Sequence, residues 1–187
     1  MTFTWTAHRF AGGALALDVA NSVILRFDAA RRIDRFADVA ALDAFADAAN
    51  RFGAESTRFG TLSPVAEQNR ARLLRLREAT DRHFRAQAAA EHRADLMADL
   101  LEAIAAVLRS TDHGGRAAIA LDTATAHSAL SLTANPEPER LKICPNCGWL
   151  FLDKSRNRSR TWCDMAVCGN RSKAKRHYHR SREEAQG

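Results

Sequence analysis

The chain has 187 residues, 46% hydrophobic and 27% charged, which is ordinary for a soluble globular protein and long enough to bury a real core. No run of 18 apolar residues occurs, which excludes a spanning helix and leaves no membrane partner, and residues 1–30 lack a basic stretch followed by an apolar one, so a cytoplasmic location is expected. The net charge of +6 is divided unevenly: residues 1–139 hold 16 Arg against 18 acids, net −2, whereas residues 140–187 hold 12 Lys and Arg against four acids, net +8. A basic tail on a mildly acidic body points to a polyanionic partner.

In chain order, T-F-T-W-T-A-H-R-F reads as an extended start, Gly12-Gly13 as a break, and Ala14 to Leu25 as an apolar helix. Val39, Leu42, Phe45, Ala49 and Phe52 mark a second helix ended by Gly53. Ser63-Pro64 has the form of an N-cap followed by proline at the first helical position, and predicts a long third helix with the stripe Val65, Leu73, Leu76, Thr80 and Phe84. Leu96, Met97, Leu100, Leu101, Ile104, Val107 and Leu108 form the seam of a fourth, ended by Asp112-His113-Gly114-Gly115. Residues 116–132 suit a helix or a hairpin, because I-A-L-D-T and L-S-L-T also alternate with a two-residue period; helix is favoured. Asn135-Pro136-Glu137-Pro138 then breaks the pattern, which gives a helical domain at 1–135, a linker at 136–140 and a small module at 141–187.

All four cysteines fall in that module, as Cys144-x2-Cys147 and Cys163-x4-Cys168 with 15 residues between the pairs. Two such pairs across a hairpin-sized insert are the sequence form of a closed tetrahedral site, and one structural Zn²⁺ is expected. Disulfides would need an oxidising compartment, and a redox role for the first pair would leave the second unexplained. Four sulfurs complete the tetrahedron, so neither His177 nor His179 is needed as a ligand. Leu141 to Ile143 leads into the knuckle, Gly148 permits its tight backbone, Trp149 to Asp153 reads as a strand, D-K-S-R-N-R-S-R as a turn, and Thr161 to Cys163 as the returning strand. A helix from about Ala166 brings in Cys168. The fold expected is mainly α, a helical domain plus a treble-clef-like finger whose small core is Trp149, Phe151 and Trp162.

On that last helix Ala174, His177, Tyr178 and Ser181 share a face that can lie against the hairpin, which leaves Arg171, Lys173, Lys175, Arg176, Arg180 and Arg182 outward. No acid occurs from Gly169 to Arg182, and like charges at helical spacing repel unless an anion compensates them. DNA is the expected partner, with Lys154, Arg156, Arg158 and Arg160 in the hairpin turn as further contacts; a solubilising face is the plain competitor. RNA is the alternative, favoured if the aromatics are exposed.

Asp18 and Asn21 are polar residues in an apolar run, three apart and so on one helical face. They line a ligand pocket with Arg75 and Arg77, or, on the plainer reading, they belong to a buried network with Arg75 or Arg77 and Glu78. The helical domain could equally serve as a homodimer interface. No glycine-rich phosphate loop, nucleophile elbow or paired-carboxylate motif occurs, so no enzymatic activity is expected. A metal-dependent enzyme is the second alternative, and it would need an open coordination position.

The stretch from about Arg140 to Arg182 resembles the CGNR zinc finger, whose hallmark tetrapeptide stands here as Cys168-Gly169-Asn170-Arg171 after similar C-x-W-L-F-L-D and R-x-W-C-x-M-A-V elements. Where the family commonly has Arg-Arg-Trp-Cys-Ser-Met, this chain has Arg160-Thr161-Trp162-Cys163-Asp164-Met165. The family usually carries an amino-terminal ABATE-type domain, to whose landmarks Leu15 to Ser22 and Leu74 to Ala79 are similar. The resemblance implies a bacterial transcription regulator linked to the stress response, associated with the nucleoid when bound to DNA.

Overall fold

The computed structural model describes residues 3–110, 118–134, 137–174 and 178. Its centre is a short helix, α1 (Leu15–Ala20), every residue of which is buried. Ala14 cannot cap it, so the cap comes from elsewhere: the Leu15 amide donates to Glu55 Oε2 at 2.7 Å, and Ser128 donates to the same oxygen at 2.5 Å while accepting from Ala16. Leu15 and Val19 face an aromatic cluster of Trp5, Phe10, Phe36 and Phe45, whereas Ala16 and Leu17 face a second cluster of Leu76, Phe84, Leu100, Ile104 and Leu132. Each fully buried side chain of this size contributes roughly 1.5–3 kcal/mol.

The helix expected to run to Leu25 stops at Ala20 instead. Asn21 turns its side chain to another strand, and Val23–Ile24 (β1) pairs antiparallel with Ile33–Asp34 (β2). The second helix, α2 (Val39–Phe52), has its expected bounds, with the Asp38 carboxylate accepting from the Ala40 amide and Gly53 closing it. A single turn, α3 (Ser56–Phe59), follows.

Ser63-Pro64 does not open the third helix. The residue before a proline is biased toward extended backbone, and Leu62–Ser63 (β3) pairs in parallel with Ile119–Ala120 (β4). Asn50 reinforces that strand by bonding both the N–H and the C=O of Leu62. The long helix, α4, therefore begins at Arg70 and runs to Ala88; Leu73, Leu76, Thr80 and Phe84 are buried along it as expected. Helix α5 (Ala94–Arg109) buries Leu100, Ile104 and Val107 and leaves Leu101 exposed; the glycine pair expected to end this helix lies outside the described residues. Residues 121–133 are a helix, α6 (Leu121–Thr133), and not a hairpin. It is buried on nearly all sides against α1, α4 and α5, which is why its sequence shows no single apolar stripe.

The module after residue 137 contains the expected hairpin, but with a different partner strand. Leu141–Ile143 (β5) pairs antiparallel with Leu150–Leu152 (β6), in the register Leu141 to Leu152 and Ile143 to Leu150, so the Cys144–Cys147 knuckle is itself the turn. Thr161 to Cys163 is not a strand. The D-K-S-R-N-R-S-R run wraps around the buried carboxylate of Asp153, which accepts from the Ser155 amide, the Arg160 amide and Lys142 Nζ at 2.9, 2.9 and 2.7 Å. Burial alone would raise this carboxyl; Lys142 and the other donors hold it well below the usual range. A carboxylate thus holds the returning chain where a ladder was expected.

The hairpin is not suspended on a tether. Leu141 and Leu150 belong to the same apolar cluster as Leu76 and Leu100, and the Leu152 amide donates to Gly12 O at 2.9 Å. Among the described residues no helix is long and apolar enough to cross a membrane.

Candidate metal centre and basic surface

The knuckle is built by backbone chemistry that its sequence permits. Gly148 has φ +74°, a left-handed conformation that costs an L side chain about 1 kcal/mol or more. It lets the Gly148 amide donate to Cys144 O and the Cys144 amide to Trp149 O, both at 2.8 Å. The amides of Cys147 and Cys163 then donate to the Cys144 sulfur, and that of Trp149 to the Cys147 sulfur. From the other side, Asp164 caps the turn Met165–Gly169, a π-helical turn that continues helically to Ala174, by accepting from the Ala166 and Val167 amides. That turn delivers Cys168.

The four sulfurs converge, all lying within 4.8 Å of one another. Cys163 Sγ stands 3.6 Å from both Cys147 Sγ and Cys168 Sγ. This is far beyond a disulfide of about 2.05 Å and close to the edge, about 3.8 Å, of a tetrahedron with 2.3 Å zinc–sulfur bonds. Cys144, Cys163 and Cys168 are fully buried and Cys147 is half-buried. Hydrogen bonding among the sulfurs holds Cys144 toward its thiolate and pushes Cys147 and Cys163 the opposite way, with burial raising both further. Four sulfurs at this spacing can ionise together only around a cation. The donor set fits one metal ion held by Cys144, Cys147, Cys163 and Cys168.

Trp149, Phe151 and the cysteines form a third apolar cluster with Trp162 at its edge, so the finger's aromatics are core. Gly169 of the tetrapeptide is buried where a Cβ would meet Met165 Sδ at 2.4 Å and the Trp162 ring at 3.3 Å; Asn170 donates from its side chain to Ala166 O at 3.0 Å. Ala174 and Tyr178, expected to lie against the hairpin, are exposed: the helix is anchored by its first turn, where Cys168 and Gly169 are buried. His177 and Ser181, the other two residues of that face, lie outside the described residues.

The cations of the finger divide into two sets. Lys154, Arg156, Arg171 and Lys173 are exposed and make no ion pair among the described residues. Arg158 instead pairs with Glu137 at 2.5 Å and with Glu139, and Arg160 donates to Trp162 O while its guanidinium stacks 5.2 Å from the Phe151 ring centre. Lys175, Arg176 and Arg180 lie outside the described residues, as do Arg182 and His179.

The polar residues of the body do not assemble as one site. Asp18 is buried, with one oxygen accepting from the Gly12 amide at 2.8 Å and the other without a partner among the described residues; burial pushes its pKa well above the ordinary range. Asn21 bonds the Leu150 backbone. Arg77 is buried against the Asp34 carboxylate, with two bonds of 2.7 Å, and also donates to Glu78 and Ser22. Arg75 lines a groove of about 540 Å³ between α4 and α5, with Arg82, Asp99 and Glu102.

Arg85, absent from the sequence-derived candidates, ties the body to the knuckle. It pairs with Asp81 at 2.7 Å and donates to Gly148 O at 2.9 Å. The amino-terminal segment docks on the finger in the same way, His8 Nδ1 lying 2.8 Å from Asp164 Oδ2 and its ring 5.3 Å from that of Trp149.

Residues 140–181 match the family described as the CGNR zinc finger. The match covers the metal centre and the basic helix and leaves residues 1–139 outside it. No curated protein matches the chain.

Proposed function

We propose that this is a cytoplasmic, zinc-dependent DNA-binding protein, a transcription regulator in which a structural four-cysteine zinc ion orders a basic helix for phosphate and base contact. The observation that carries the reading is the placement of Arg171 and Lys173. They follow the buried ligand Cys168 by three and five residues, are exposed, and have no acidic partner among the described residues. Zinc supplies no reaction here: bound to four thiolates it is saturated, and its contribution is the folding energy of the module. The residues of the chain do the rest. Asp164 starts the helix, Gly169 lets it sit close to Met165 and Trp162, and the exposed cations meet phosphate.

Burial of Trp149 and Phe151 favours duplex over single strand, since stacking platforms for unpaired bases need exposed rings. The helical body is then the part that senses a ligand or pairs two protomers, and a stress-linked role follows from the same reading. The test is binding of zinc-loaded protein to random duplex DNA across a salt series, with single-stranded RNA as competitor. Salt-independent binding, or preference for RNA, would overturn it.

A further inference from the structure

Three guanidinium groups, two on the body and one on the finger, with no carboxylate partner among the described residues, gather where the amino-terminal segment crosses the metal module. Arg9 lies 5.9 Å from the ring centre of Phe3 and 5.5 Å from that of Trp149, so it spans body and finger. Arg35, immediately after β2, stacks on Phe3 at 4.0 Å from the ring centre. Arg171, on the finger helix, completes the group. Burial lowers the pKa of Arg9, and the positive charges of Arg35 and Arg171 push it in the same direction, so each of those two lies within electrostatic reach of Arg9.

The cluster has unfilled donors. Arg35 Nε is buried without a hydrogen-bond partner among the described residues, and so is Nε1 of Trp149, the ring under Arg9; Trp149 as a whole is only 4% exposed. The acid met by this segment, Asp164, is occupied by His8 and by the capping amides. Cys147 offsets part of the charge on Arg9, and a zinc ion with four thiolates would carry two negative charges there. Arg35 and Arg171 make no ion pair with any carboxylate among the described residues. Like charges held together by aromatic stacking, with buried donors open, are the form of an anion site, and planar guanidinium groups match phosphate oxygens bidentately.

We propose that Arg9, Arg35 and Arg171 form a phosphate-binding site that seats a backbone phosphate of duplex DNA, so that the helical body takes part in the nucleic-acid interface beside the finger. This rests on the DNA-binding reading of the finger and adds a surface to it. The stacked rings hold two of the three side chains in place before binding, which reduces the ordering cost of the contact.

The experiment uses the full-length, zinc-loaded chain and a short random-sequence duplex over a salt series. Arg9→Gln and Arg35→Gln should each make the logarithmic salt slope shallower, by up to about 0.9, the contribution of the one phosphate they share, while Arg9→Lys and Arg35→Lys should keep it. Gln variants with the wild-type slope, alongside an Arg171→Gln variant with a reduced one, would overturn the site and leave the finger reading intact; wild-type protein that does not bind duplex would end both. A second measurement needs no substitution. Saturating duplex should protect Arg9 and Arg35 from an arginine-selective dicarbonyl reagent, read by peptide mass spectrometry. Equal modification with and without duplex would overturn the proposal, as would equal protection by inorganic phosphate at matched ionic strength, which would assign the cluster to a small anion.

Discussion

Asn21 pairs with Leu150 as a strand would: its side-chain amide donates to Leu150 O at 2.8 Å and its side-chain oxygen accepts from Leu150 N at 3.0 Å. Both residues are buried, so one amide side chain satisfies two backbone groups of the finger's inner strand that no water can reach. The end of the central helix and the metal module are thereby one hydrogen-bonded unit.

Replacing Asn21 with Leu leaves the Leu150 N–H and C=O without partners in a dry site. The expected loss is about 2–3 kcal/mol of global stability, read as a lower urea midpoint at unchanged slope. A neutral substitution would show that water reaches the strand.

Removal of the metal should separate two parts of the fold. Chelation is expected to abolish amide protection from Cys144 to Ala174 and leave that of α4 and α5 in place, because most of their apolar cluster, including Leu76, Phe84, Leu100, Ile104 and Val107, lies outside the finger. X-ray absorption on the loaded protein should give four sulfurs at about 2.3 Å. Cys163→Ser should lower the metal content below one ion per chain, and full occupancy in that variant would contradict a four-sulfur centre.

The divided cations make a graded prediction. Arg171→Ala and Lys173→Ala should each make the salt slope of DNA binding shallower by about 0.9. Arg158→Ala should change it little, because Arg158 is held by Glu137 and Glu139. Equal effects of all three would show that the Arg158 pairs open on binding.

Asp18 sets a pH dependence whose sign follows from its burial. Its folded pKa lies well above the unfolded value near 4, so the folded state binds the proton more tightly, and stability falls as pH rises from the unfolded value through the folded one. Asp18→Asn, neutral throughout and still able to accept from Gly12, should stabilise the protein at pH 7 and lose that advantage below about pH 4. Thermal melts of the two proteins at both pH values measure it, and an advantage that does not shrink in acid would assign the gain to something other than charge.

The sequence was most legible where the chemistry is local. The cysteine quartet needs only its own spacing, and α2 needs only Asp38, its apolar period and Gly53. It was least legible where a distant group decides. The central helix ends at Ala20 because Asn21 is engaged by Leu150, 129 residues away; Ser63 is extended because of Pro64 and Ile119; the chain entering Thr161 is held at Arg160 by Asp153 and Lys142 in place of a ladder. Asp18 and Asn21 stood out as polar residues in an apolar run, but nothing in the spacing could show that they face different partners. Arg9 and Arg35 lie among sixteen arginines of the body, and only the folded chain distinguishes them.

The sharing of Leu141 and Leu150 between finger and body has a practical consequence. A fragment cut at Glu137 would expose two leucines that the helices normally cover, and would give up the Asn21, Gly12 and Arg85 bonds together. Such a peptide would be expected to self-associate or fray at its hairpin even when fully metallated. Grafting this module onto another scaffold would therefore require transplanting α1 and the inner face of α4 with it, because its packing extends beyond the 42 residues that match the family.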